Sequence, residues 1–70
     1  MKKNLTLKAA REKSGKTQKQ VAQEVGIAEV AYKTYEYGKR TPTAPTGNSI
    51  ARVLGTTSEM LFGFRLTNVV

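Results

Sequence analysis

Glycines at 15, 26, 38 and 55 cut this chain into short segments, and within the segments apolar residues recur at helical spacing. That pattern constrains the fold more than any other feature: several helices of two or three turns joined by tight turns, with an all-α class as the outcome. Leu7, Ala10 and Arg11 share one face of a first helix over residues 5–14, which Gly15 ends by adopting a left-handed conformation. Thr17-Gln18-Lys19-Gln20 has the form of a capping box and starts a second helix at Gln18, with Val21, Ala22 and Val25 as its stripe. Two turns are too few to persist alone, so packing must hold that helix.

After Gly26 and Ile27 the stripe resumes at Ala31, Tyr32 and Tyr35, which predicts a third helix over residues 28–37. Thr43 or Thr46 can cap a fourth helix with Pro45 in its first turn and Ile50, Ala51 and Leu54 on its apolar face. Thr57 caps a short fifth helix carrying Met60, Leu61 and Phe62. Residues 64–70 alternate imperfectly and read either as a strand, available to a second copy of the chain, or as a frayed end.

A chain of 70 residues makes one domain, read as residues 1–63 with a tail at 64–70, and has no room for a sensor or catalytic unit beside it. Twelve Lys and Arg against five Asp and Glu leave a net charge of +7, which favours polyanions such as nucleic acid or an anionic membrane surface. No apolar run approaches the roughly 20 residues needed to span a bilayer, and residues 1–14 lack the apolar stretch of a signal peptide. Without Cys or His there are no disulfides, usual zinc sets, thiol nucleophiles or imidazole bases, so Ser14, Ser49 and Ser58 have nothing to activate them. The chain reads as a cytoplasmic non-enzyme without catalytic residues, metal or cofactor.

Residues 17–38 combine a short capped helix, a turn containing Gly26 and a second helix, which is the helix-turn-helix plan. The residues around it extend the match: Leu7 and Arg11, Thr17-Gln18, Val21-Ala22, Val25-Gly26-Ile27, Tyr35-Glu36, Gly38-Lys39-Arg40, Pro42, Ile50-Ala51, Leu54-Gly55 and Leu61-Phe62-Gly63. In these residues the chain resembles the phage repressor and Cro family of bacterial and phage transcriptional regulators. The resemblance implies a five-helix bundle whose third helix lies in the major groove of a DNA operator, bound as a dimer on two half-sites.

The inward set Ala31, Tyr32 and Tyr35 turns Glu29, Val30, Lys33, Thr34 and Tyr37 outward at about 100° per residue. Glu29, Val30, Thr34 and Lys33 are the candidate base contacts: glutamate can accept from cytosine N4, valine can rest on a thymine methyl, and threonine can do either. The resemblance places Gln18 on a phosphate, and Lys19, Lys39 and Arg40 are further candidates for the backbone. It also places Arg11 and Glu36 as an ion pair linking the first helix to the end of the third.

Three residues depart from the family pattern. Ala28 stands where a Ser or Thr usually caps the third helix, and Lys16 and Gly47 occupy places that are usually apolar, which predicts a thinner core at the fourth helix. A second functional class, an antitoxin-like or accessory module that binds protein through the same fold, leaves the outward face for a protein partner with DNA contact secondary.

Overall fold

The computed structural model describes residues 3–63 and contains five helices: α1 Leu5–Ser14, α2 Gln18–Val25, α3 Glu29–Glu36, α4 Ala44–Leu54 and α5 Ser58–Phe62. The fold is an all-α bundle, with no strand among the described residues. None of these helices is long and apolar enough to cross a membrane. The tail at residues 64–70, with its strand and frayed-end readings, lies outside the described residues.

Capping explains most of the helix limits. Asn4 opens α1, its side-chain oxygen accepting from Leu7 N at 2.9 Å, and Gly15 closes it at φ 76°. In α2 the capping box is complete: Thr17 Oγ1 accepts from Gln20 N at 3.0 Å while Gln20 Oε1 accepts from Thr17 N at 2.8 Å. Thr43, not Thr46, precedes α4, and its hydroxyl meets the Thr46 hydroxyl at 3.3 Å instead of capping the backbone. Pro45 sits in the first turn, where a missing N–H costs nothing. Thr57 caps α5 by accepting from Met60 N at 3.2 Å.

The core gathers Leu7 from α1, Val21 and Ala22 from α2, Tyr32 from α3, Ile50 and Ala51 from α4 and Leu61 from α5. Val25, Ile27, Tyr35, Leu54 and Phe62 pack around it. Met60 lies in α5 but is 66% exposed. In a helix of five residues the inward positions are Ser58 and Leu61, three apart, and Met60 falls off that stripe. Gly47 is buried on the inner face of α4 and contributes no side chain to the core there.

One residue joins three elements. Asn4 donates its backbone N–H to Glu36 O at 2.9 Å and its side-chain amide to Leu61 O at 2.7 Å, tying the start of α1 to the ends of α3 and α5.

Candidate nucleic-acid interface

The turn between α2 and α3 decides how the outward face of α3 is presented. Gly26 takes φ 89°, a conformation that costs L side chains free energy, and its N–H and that of Ile27 both return to Ala22 O, at 2.8 and 3.0 Å. Ala28 follows in an extended conformation and α3 begins at Glu29, without a side-chain cap. The helix is one residue shorter at each end than its apolar spacing suggests, with Ala28 and Tyr37 as its flanking caps.

Tyr32 is fully buried, and Ala31 and Tyr35 are half-buried beside it. On the other side Val30 is 72% exposed. Glu29 and Lys33 are partly exposed and pair with each other, Lys33 Nζ lying 3.6 Å from Glu29 Oε2. Thr34 is half-buried and its hydroxyl donates to Ala31 O at 2.6 Å, so the donor is already in use and the methyl and the oxygen's lone pairs remain.

At the inner edge of this face stands a cluster from three helices. Arg11 Nε donates to Glu36 Oε2 at 2.5 Å and Arg11 Nη2 to Glu36 Oε1 at 3.4 Å. Tyr32 Oη donates to Glu36 Oε2 at 2.8 Å, and Gln18 Nε2 to Glu36 Oε1 at 3.0 Å. Arg11 Nη1 also holds the Lys16 carbonyl at 3.1 Å. Burial by itself pushes the Glu36 carboxyl up, but the donors from Arg11, Tyr32 and Gln18 outweigh it and hold the group below the usual carboxylate range. The same contact with Glu36 raises Arg11, and burial followed by the Glu36 bond pushes the Tyr32 phenol far up. A buried carboxylate with four donors is a rigid joint, and it locks α3 against the start of α2.

Gln18 is therefore held by Glu36 at the N-terminus of α2, where the first backbone N–H groups have no acceptor within the helix. Beside it lies a cleft of about 300 Å³ lined by Lys3, Lys8, Arg11, Gln18, Glu36 and Tyr37. Lys3 and Lys8 were not singled out from the sequence, because nothing in their spacing reveals that they line one cleft with Gln18. Lys39 and Arg40 follow α3 after Tyr37 and Gly38, their N–H groups returning to Thr34 O at 3.0 and 3.4 Å through a turn at Gly38. Both are exposed, as is Lys19 in the first turn of α2. Lys16 offsets its apolar-position role by pairing with Glu24, 3.0 Å away. No group of side chains suited to a metal ion occurs among the described residues.

A family model described as helix-turn-helix matches residues 7–61. No curated protein and no solved structure matches the chain. The match spans all of α2 and α3 and reaches into both α1 and α5. The chain belongs to the helix-turn-helix family of the phage repressor and Cro type, and is a DNA-binding regulator whose partner is double-stranded DNA.

Proposed function

We propose that this protein is a sequence-specific transcriptional repressor that binds an operator as a homodimer, reading the major groove with α3. The observation that carries the reading is the outward face of α3: a valine 72% exposed, set among Glu29, Lys33 and Thr34, with Lys39 and Arg40 in the loop after the helix. An apolar side chain so exposed has no part in the core, and in a groove it meets the thymine methyl. Gln18, Lys19, Lys39 and Arg40 hold phosphates, which sets register and affinity without reading sequence. Glu29, Val30, Lys33 and Thr34 read bases.

The carboxylate of Glu29 is repelled by phosphates unless it finds a donor, so it acts as a discriminator: a correct cytosine offsets the repulsion and a wrong base does not. Sequences selected from random DNA identify the operator, and binding to a library of its single-base variants tests the face. Glu29→Ala relaxes preference at one base pair per half-site, by about 1–3 kcal/mol of discrimination. Val30→Ala weakens a thymine preference by less. If Glu29→Ala, Val30→Ala and Thr34→Ala all lower affinity uniformly or change nothing, α3 does not read bases and the protein-interaction reading replaces this one.

A further inference from the structure

Glu29 and Lys33 stand one helical turn apart with Lys33 Nζ 3.6 Å from Glu29 Oε2, presenting an acceptor and a donor side by side on the outward side of α3. We infer that the Glu29–Lys33 pair reads one G·C base pair as a unit, the carboxylate accepting from cytosine N4 and the ammonium donating to guanine O6 and N7. This rests on the reading of α3 as the recognition helix and adds the identity of the base pair.

The chemistry of the groove edge supports the match. Guanine O6 and cytosine N4 are themselves hydrogen-bonded in the base pair, so the acceptor and donor they show lie about 2.9 Å apart. A donor and an acceptor 3.6 Å apart are complementary to that edge in spacing and in sense. With the helix fixed in the groove, C·G and A·T pairs present donor and acceptor in the opposite order. T·A keeps the order but puts the thymine methyl where guanine offers N7, an apolar neighbour for an ammonium. Guanine on the lysine side gives two acceptors in place of one.

The pair also removes the difficulty that a lone carboxylate brings to a polyanion. Lys33 neutralises Glu29 in the free protein, so entering the groove brings no net charge. The unit therefore contributes discrimination and little affinity. Lysine paired in this way releases no counterion from phosphate, which separates it from Lys39 and Arg40.

The experiment uses the full chain and its selected operator, with every base pair varied to all four identities. Wild type, Glu29→Ala, Lys33→Met and the double variant are compared, with thermal melts showing that each is folded. Val30→Ala and Thr34→Ala serve as the independent check on the underlying reading. The expected result is one G·C position per half-site where wild type discriminates by about 5- to 150-fold. Both single variants flatten that same position, the double variant flattens it no further, and Lys33→Met leaves the salt slope as it was. Single variants acting at different base pairs, or a Lys33→Met slope lower by about one with preferences intact, overturn the pair while Val30 and Thr34 still mark α3 as the reader. If Val30→Ala and Thr34→Ala also leave every preference unchanged, the reading of α3 falls with it.

Discussion

Glu36 is 4% exposed and ionised, and the four donors around it make its contribution to stability depend on pH. Its folded-state pKa lies below its unfolded one, so the stabilisation is complete above the ordinary glutamate value of about 4.3 and is lost as pH falls from there through the depressed folded value. The stability gap between wild type and Glu36→Gln, followed by denaturant melts, should therefore shrink as the medium is acidified below about pH 4. A gap that stays constant would mean that Glu36 is not charged in the fold. Arg11→Ala leaves this carboxylate without its strongest donor and should cost roughly 1–3 kcal/mol. Combining it with Glu36→Gln should cost less than the two single changes summed, and strict additivity would show that the side chains do not meet. The sequence pointed to Arg11 and Glu36 through family resemblance. Tyr32 and Gln18 were not seen as partners, although a buried tyrosine four residues before a glutamate is a legible sign, because its hydroxyl needs an acceptor within the core.

Among the helices, α3 has a cap position that one substitution can fill. Ala28 already has the extended backbone of a cap, φ −69° and ψ 145°, but no oxygen to accept from the first turn. Ala28→Ser should raise stability by about 0.5–2 kcal/mol, measured as a higher denaturant midpoint with an unchanged m-value. No gain would mean that the N–H groups of that turn already have other partners. Asn4→Ala tests the opposite case. It removes the α1 cap and the bond to Leu61 O together, so its cost should exceed the 1 kcal/mol or so typical of a cap alone. Helix existence was legible because caps and glycines act locally, within four residues of the groups they satisfy. Which of Met60, Leu61 and Phe62 faces inward was not legible, because a segment of five residues holds too few turns for spacing to define a face.

For the whole molecule the decisive quantity is charge. With a net +7 and an exposed basic loop after α3, DNA affinity should fall steeply with salt. Replacing Lys39 and Arg40 by Ala should weaken specific and non-specific DNA alike and lower the slope of log K against log salt by about two; an unchanged slope would take both residues off the backbone. The all-α class, the five helices, most of their limits and the basic character were legible in the sequence, since each follows from residue identity and short-range spacing. Tertiary structure decided which charges are buried and what lies side by side. Lys3 and Lys8 line one cleft with Gln18, and Asn4 ties the start of α1 to α3 and α5, because the chain brings these distant segments together. Spacing along one helix fixes the angles between its side chains, whereas the neighbour each side chain meets depends on contacts between residues as far apart as Asn4 and Leu61, which no local pattern encodes.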